Sequence, residues 1–260
     1  MVTVSIIGCG NMGSALITGL ARAGNHRVTA CDPNQDALDA VASHCWKTTT
    51  DPAEATGPEV DVVVVAVKPD VVGAVLEEID LDPSQTLVTI AAGVPRSFVA
   101  ERTDASVVRV MPNLAAETGD MAAAVVWDDP DEDVRALLED LGAFVVIEED
   151  LMHVATALNG SGPAFVFYFL KAMKLAAVDQ GMDPDDAETL SAQTFKGAAE
   201  TVLRSDRSVD DLIDAVCSPN GTTIEGMEVL WDSDVEAVVN ETLAAAADRS
   251  RELAGEFDDA

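Results

Sequence analysis

A glycine-rich element near the amino terminus constrains the fold more than any other part of the sequence. Residues 2–7 form a short β-branched run, and Gly8, Gly10 and Gly13 follow directly in a G-x-G-x-x-G pattern that leads into a helical stretch ending at Gly24. Such glycines permit a tight turn, let the backbone approach a pyrophosphate, and let the helix pack close to the sheet. The element therefore predicts a dinucleotide-binding βαβ unit.

The first half of the sequence alternates between short strands and helices. Predicted strands cover 2–7, 27–31, 60–67, 86–91 and 106–111, and predicted helices cover 12–23, 35–42, 71–79 and 96–102. A further strand pair is expected at 121–127 and 144–147, with a helix at 131–141. The run 62–67 is uniformly apolar, which predicts a central strand covered on both faces. We therefore expect an α/β fold with a mostly parallel, Rossmann-type sheet over residues 1–150.

The second half of the sequence has long helical periodicities and no further strand pattern. This predicts an all-helical domain over residues 151–260. Its first helix, at 164–178, is apolar nearly all round, so we expect it to pack inside a subunit interface. A central helix in a monomeric bundle is the alternative.

The net charge is strongly negative. The chain has 47 acidic and 15 basic residues, for a formal charge of −32, and the acidic residues are spread along its whole length. This distribution argues against nucleic acid as a partner, because its phosphates would be repelled. We favour a halophilic protein dissolved in concentrated salt, where screening makes self-repulsion tolerable. An acidic metal-loading surface and an ordinary acidic protein are the alternatives.

The cysteines and the amino terminus bear on the compartment. The four cysteines form no CxxC pair and have no ligand-type spacing with the three histidines, so we expect a reducing compartment and no metal site. The amino terminus lacks a basic segment followed by a long apolar core, and no apolar run reaches the ~20 residues that a bilayer requires. A soluble, cytoplasmic protein with no membrane partner is expected.

Asp32 bears on the choice of cofactor. It lies 19 positions beyond Gly13, at the end of the second predicted strand. A carboxylate there would accept hydrogen bonds from a ribose 2′-hydroxyl and repel a 2′-phosphate, which favours NADH over NADPH. Alternatively, Asp32, Pro33 and Asn34 form a plain turn that opens the next helix, with Asn34 donating to a phosphate.

A second informative stretch is a loop between two predicted helices. Pro219, Asn220 and Gly221 are typical of a turn, and Thr222 with Glu225 predicts a capping box at the start of a helix. A helix amino terminus with free N–H groups and nearby hydroxyls suits a carboxylate. A capped helix with no ligand is the alternative.

Several stretches together resemble the pyrroline-5-carboxylate reductase family along the whole chain and in family order. They are Ile7-Gly8-Cys9-Gly10-Asn11-Met12-Gly13, Ala66-Val67-Lys68-Pro69, Ile90-Ala91-Ala92-Gly93-Val94, Arg109-Val110-Met111-Pro112-Asn113, Asn159-Gly160-Ser161-Gly162-Pro163-Ala164 and Cys217 through Glu225. The resemblance implies a Rossmann domain followed by a helical domain that forms a homodimer, with dimers often assembled into larger rings. It also implies NADH or NADPH as cofactor and 1-pyrroline-5-carboxylate as the small-molecule substrate, reduced to L-proline.

The resemblance also implies residue roles. The residues expected to bind the cofactor are Gly8, Cys9, Gly10, Asn11, Met12, Gly13, Asp32, Ala66, Val67, Lys68, Pro69, Ala91, Ala92 and Gly93. Those expected to bind the substrate are Ser218, Asn220, Gly221, Thr222 and Thr223. The hydroxyl of Thr223 is the catalytic candidate, as a hydrogen-bond partner or proton relay at the ring nitrogen. Asn220 departs from the glycine common in the family, but Asn tolerates left-handed backbone.

Alternatives remain open for Lys68 and for the activity. Lys68 could contact the cofactor, contact the substrate, or only extend its charge to solvent along an apolar stem. A β-hydroxyacid dehydrogenase would share the architecture and would need a lysine such as Lys171 or Lys174 on the interdomain helix as acid–base, although neither has that family's glycine-rich context. A nucleotide-sensing protein without catalysis is the third interpretation.

Overall fold

The amino-terminal half forms a single eight-stranded sheet in the computed structural model, which describes residues 1–129, 131–255 and 257. The strands are β1 Thr3–Ile7, β2 Arg27–Cys31, β3 Lys47–Thr49, β4 Val62–Val65, β5 Thr86–Thr89, β6 Ser106–Met111, β7 Met121–Val126 and β8 Gly142–Val146. Their order is β3-β2-β1-β4-β5-β6-β7-β8. All neighbours are parallel except β6 and β7, so the predicted Rossmann-type sheet is confirmed.

The central strand β4 is buried on both faces, as its uniform valine run predicts. Each of its four residues is buried, and Val62, Val63 and Val65 have no exposed surface. The strand lies between β1 and β5, with apolar clusters on both sides of the sheet. This burial explains why its sequence does not alternate between apolar and polar residues.

Helices follow most strands and cover the two faces. In this half they are α1 Asn11–Ala23, α2 Gln35–Val41, α3 Pro52–Ala55, α4 Pro69–Glu78, α5 Arg96–Ala100, α6 Glu132–Leu141 and α7 Met152–Ala155. The sequence analysis missed β3 and α3, because a three-residue strand and a four-residue helix are too short to establish a periodicity.

The remaining elements are helical, as predicted. They are α8 Gly162–Asp179, α9 Pro184–Arg204, α10 Val209–Val216, α11 Thr222–Trp231 and α12 Val235–Gly255. By internal contacts the chain divides into a first unit of residues 1–161 with 243–260, and a second of residues 162–242. The end of α12 therefore belongs to the sheet-containing unit.

The second unit buries very little of itself. Among its described residues only Ala187 and Ser191 are buried. No residue of α8 is buried, and Phe167 and Tyr168 on this helix are 66% and 70% exposed. A helical unit without a core of its own requires a partner to cover its apolar side chains.

One described helical stretch, residues 149–179, is long and apolar enough to cross a membrane by length and composition. This corrects the expectation that no apolar run reaches that length. The sequence analysis considered residues 164–178 alone. In the structure a short helical turn at Glu149–Leu151 precedes α7, and another at Thr156–Gly160 joins α7 to α8.

Candidate functional site

The glycine-rich loop after β1 has the backbone geometry that its glycines predict. Gly8 has a φ of 102°, a region that residues with a Cβ atom rarely adopt. A Cβ on Gly13 would lie 1.8 Å from the Gly8 carbonyl oxygen, so a side chain there would force α1 away from the loop. Both glycines are therefore required for the helix to begin directly above the strand.

The amino terminus of α1 presents unpaired backbone donors. The first backbone hydrogen bond of this helix runs from the N–H of Ser14 to the Gly10 carbonyl, at 2.8 Å. The N–H groups of Asn11, Met12 and Gly13 come before it and have no acceptor within the helix. Gly10 is exposed, and a Cβ there would meet no atom within 4 Å. Free N–H groups, the positive end of the helix dipole and open space fit an anion such as a dinucleotide pyrophosphate.

A groove of about 420 Å³ opens beside this loop, at the carboxyl ends of β1, β2 and β4. Its walls are formed by Ile7, Gly8, Gly10, Cys31, Asp32, Pro33, Thr50, Pro52, Ala66, Val67, Lys68, Val71, Ala74, Val75 and Glu78. The strand order reverses between β1 and β4, and doubly wound sheets bind ligands at such a switch point. We call this the nucleotide groove.

Asp32 lines the nucleotide groove, and both of its carboxylate oxygens accept backbone hydrogen bonds. The N–H of Cys9 donates to Oδ2 at 2.7 Å and the N–H of Asn34 donates to Oδ1 at 2.8 Å. Asn34 in turn caps α2 by accepting from the Asp36 N–H. The residue thus forms the predicted turn and also lines the groove, and each oxygen keeps a lone pair for a further donor.

Two further predicted residues lie in or near this groove. Cys9 is buried, and burial followed by the charge of Asp32 raises its thiol pKa to about 12, so the group stays a neutral thiol in the loop. Lys68 is exposed and precedes the first residue of α4, Pro69. Its ammonium is the one positive charge among the groove's lining residues.

The segment Ala91-Ala92-Gly93 follows β5 and packs against the end of α12. Gly93 has a φ of 80°, and a Cβ on it would lie 2.8 Å from the Cβ of Leu253. The sequence analysis did not foresee this contact, since Leu253 is distant in the chain. The carboxyl-terminal helix therefore helps to define the conformation of this predicted cofactor segment.

A buried ion pair lies close to the same segment. Arg109, on β6, is only 3% exposed and pairs with Glu149. Glu149 also accepts a hydrogen bond from the backbone N–H of Arg96, the first residue of α5, at 3.3 Å. Nearby, His153 Nδ1 lies 3.0 Å from the hydroxyl of Ser250 on α12.

The predicted substrate loop lies in the second unit, between α10 and α11. The Gly221 N–H donates to the Ser218 carbonyl at 2.9 Å, closing a turn. Asn220 has a φ of 60° and follows Pro219, an arrangement typical of a type II turn. It is the only non-glycine residue with positive φ among the described residues. The departure from glycine at this position is thus accommodated in the backbone.

The predicted capping box is wrong. Gly221, not Thr222, is the N-cap of α11, and no side chain caps the helix. Thr222 and Thr223 are instead the first two helical residues, so their N–H groups have no partner within the helix. The loop therefore presents more free donors than a capping box would leave.

Nine residues of the nucleotide groove were not anticipated as site residues: Ile7, Cys31, Pro33, Thr50, Pro52, Val71, Ala74, Val75 and Glu78. Thr50 and Pro52 follow the missed strand β3. Val71, Val75 and Glu78 recur at a helical spacing on α4. That spacing is detectable in the sequence and identifies one face of α4. It does not distinguish a face that lines a groove from a face that packs into the core.

Comparisons with known proteins agree with this architecture. The sequence model described as "Pyrroline-5-carboxylate reductase dimerisation" matches residues 149–253, and one described as "NADP oxidoreductase coenzyme F420-dependent" matches residues 3–93. A pyrroline-5-carboxylate reductase from Methanosarcina acetivorans is 37% identical over 96% of this chain and 97% of its own length. The chain belongs to the pyrroline-5-carboxylate reductase family.

Solved structures of the family have the same fold. A pyrroline-5-carboxylate reductase from Coxiella burnetii superposes with a TM-score of 0.86 at 30% identity, covering 96% of this chain and 97% of that one. The Plasmodium falciparum enzyme, solved with NADP bound, gives a TM-score of 0.84 at 28% identity, covering 97% and 98%. Family membership excludes the β-hydroxyacid dehydrogenase interpretation.

Proposed function

We propose that the chain is a pyrroline-5-carboxylate reductase, which reduces 1-pyrroline-5-carboxylate with NADH or NADPH to give L-proline. This reaction is the last step of proline biosynthesis. The observation that carries the proposal is 37% sequence identity to an enzyme of that name, over 96% of this chain and 97% of that enzyme. The nucleotide groove and the open amino terminus of α1 support it, because they fit a nicotinamide dinucleotide.

The cofactor, when bound, supplies a hydride from its reduced nicotinamide. The residues proposed to hold it are Gly8, Cys9, Gly10, Asn11, Met12, Gly13, Asp32, Ala66, Val67, Lys68, Pro69, Ala91, Ala92 and Gly93. The N–H groups of Asn11 and Met12 would bind the pyrophosphate. Lys68 would add a positive charge at the groove. Such preorganised donors need no rearrangement when the nucleotide binds.

The substrate is an anion with an electrophilic imine carbon. We assign its carboxylate and ring to Ser218, Asn220, Gly221, Thr222 and Thr223. The free N–H groups at the start of α11 would neutralise the carboxylate. The hydroxyl of Thr223 would donate a hydrogen bond to, or relay a proton toward, the ring nitrogen. Correct positioning of the imine accounts for most of the rate in a reaction of this kind.

The preferred cofactor is proposed to be NADH. Asp32 supports this preference, because its remaining lone pairs suit the 2′-hydroxyl donor, whereas a 2′-phosphate would be repelled. The Plasmodium falciparum relative was solved with NADP, so the preference is a property to be measured on this chain.

The chain is further proposed to act as a homodimer, and dimers to assemble into a larger ring. The apolar residues that α8 leaves exposed support dimerisation, and the dimerisation model matches residues 149–253. This match also supports a functional division into a dinucleotide-binding domain at 1–150 and a helical substrate-binding and dimerisation domain at 151–260. A partner subunit would account for the exposed apolar helix without a membrane.

The protein is proposed to be located in a cytoplasm with a high salt concentration. The charge of −32 supports this, since self-repulsion of that size is tolerable where the screening length is about 3 Å at 1 M salt. Sedimentation with purified membranes in molar potassium chloride checks the soluble assignment. Recovery of the protein in the membrane pellet would contradict it.

The test of function is the initial rate of NADH and of NADPH oxidation with 1-pyrroline-5-carboxylate, in low and in molar potassium chloride. We expect substrate-dependent oxidation that is faster in molar salt and faster with NADH. Reactions without substrate provide the control. A folded sample that binds nucleotide but turns over neither cofactor would contradict the proposal and favour a nucleotide sensor.

A further inference from the structure

The nucleotide groove is rimmed by more negative charge than Asp32 alone supplies. Glu78, the last residue of α4, also lines the groove. Asp51 stands between two lining residues, Thr50 and Pro52. Lys68 is the one basic side chain among the lining residues. Two carboxylates therefore line this groove, with a third on the residue between Thr50 and Pro52, against one ammonium group.

No ion pair neutralises these three carboxylates within the part of the chain that the structure describes. Asp32 accepts from the backbone N–H groups of Cys9 and Asn34, and Asp51 accepts from the N–H of Ala53 at 2.9 Å as the cap of α3. Backbone amides carry no formal charge. The three negative charges thus act on the groove without being neutralised in an ion pair.

The charges of Asp32, Asp51 and Glu78 all act on one buried thiol, that of Cys31. Cys31 ends β2 at the floor of the groove. Burial, followed by the charges of Asp32, Asp51 and Glu78 in that order, raises the pKa of its thiol to about 11. A group at this end of β2 therefore experiences all three carboxylates at once.

The two nicotinamide dinucleotides differ at this end of the groove. In doubly wound sheets the ribose next to the adenine binds at the end of the second strand. NADPH carries there a 2′-phosphate with a charge of about −2 at pH 7, whereas NADH carries a neutral hydroxyl. Two such charges, −2 and −1, about 10 Å apart in water change a binding constant by about a factor of four.

We propose that Glu78 and Asp51 act together with Asp32 as an electrostatic filter against the 2′-phosphate, so that the salt concentration of the medium sets the cofactor preference. In dilute salt the filter disfavours NADPH strongly. In molar salt screening weakens it, and the two dinucleotides bind more equally. This inference rests on the proposed function, because it concerns the cofactor of the same site, and it adds two specificity residues and a regulating condition.

The first measurement is the dissociation constant of NADH and of NADPH for the full-length protein, by fluorescence titration across a potassium chloride series. The lowest concentration used is the one at which far-UV circular dichroism shows a folded protein. The ratio of the NADPH constant to the NADH constant should fall by about threefold to tenfold as salt rises toward several molar. A ratio that does not change with salt would overturn the proposal.

The second measurement separates the groove charges from the general charge of the protein. Glu78→Gln should lower the same ratio by about threefold at the lowest salt concentration, and so should Asp51→Asn, which keeps the cap of α3. Glu77→Gln is the matched control, because Glu77 adjoins Glu78 on α4 but does not line the groove. Equal ratios for Glu78→Gln and Glu77→Gln would contradict the filter.

The outcomes distinguish this inference from the proposed function. Binding of both dinucleotides with ratios insensitive to these changes refutes the filter and leaves the reductase assignment intact. Binding of neither dinucleotide by a folded sample refutes the reductase assignment itself, and the filter with it.

Discussion

Removing the carboxylate of Glu149 should destabilise the protein much more than removing its guanidinium partner. Arg109 is only 3% exposed at its side chain, whereas Glu149 is 37% exposed. Arg109 Nε and Nη2 have no hydrogen-bond partner, and Glu149 supplies its one ion pair among the described residues. Glu149→Ala would therefore leave a buried, uncompensated charge. Arg109→Met would leave a carboxylate whose Oε2 is also buried, but on a side chain that is 37% exposed overall.

The expected size follows from the burial of Arg109. Breaking a buried ion pair by removing one partner costs about 3 to 5 kcal/mol. For a chain of this length each kcal/mol shifts the melting temperature by roughly 2 to 4 °C, so Glu149→Ala should lower it by between about 6 and 20 °C. Arg109→Met should cost less than half as much, because methionine fills the space of the arginine stem and the partly exposed Glu149 side chain can turn its carboxylate toward water.

The assay is thermal and denaturant unfolding in molar potassium chloride at a fixed protein concentration, since oligomerisation makes the midpoint depend on concentration. Glu148→Ala is the matched control, because Glu148 is the exposed neighbour of Glu149 and makes no side-chain cap bond. A Glu149→Ala variant no less stable than Glu148→Ala would refute the reasoning, and so would a larger loss for Arg109→Met.

Three further changes test the site and its surroundings. Thr223→Ala should lower kcat by about 10²-fold or more and leave the NADH dissociation constant nearly unchanged; steady-state kinetics with nucleotide titration check this, and an equal loss of both would make Thr223 structural. Asp32→Ser should shift the ratio of kcat/KM toward NADPH, and an unchanged ratio would remove its role in cofactor choice. Burial, followed by the charges of Arg109 and Arg251, lowers the pKa of His153 below its ordinary 6.5. The stability that this shift contributes is therefore complete above pH 6.5 and is lost as the pH falls through the folded-state pKa. His153→Gln should flatten the pH dependence of the unfolding free energy between pH 7.5 and 5, and parallel curves for the two proteins would contradict this.

Local patterns in the sequence were sufficient for most of the fold. The glycine loop was predictable because Gly8 and Gly13 are needed for backbone geometry and close approach within a few residues of each other. The buried valine strand β4 was predictable because covering both faces removes polar alternation. Strand β3 was missed because Lys47, Thr48 and Thr49 form no apolar run. The cap of α11 was assigned one residue late because Thr222 and Gly221 are both acceptable N-caps.

Some features of the candidate site could likewise be predicted from the local sequence, and others could not. The sequence by itself determined the glycine loop proposed to bind the dinucleotide, the acidic residue at the end of β2 and the turn at Asn220, since each depends on neighbours in the chain. Only the tertiary structure decided that Glu78 lines the same groove as Asp32, that Leu253 packs on Gly93, and that Glu149 neutralises Arg109. These contacts join residues far apart in sequence, and no local periodicity encodes which distant side chain will complete a given charge or cavity.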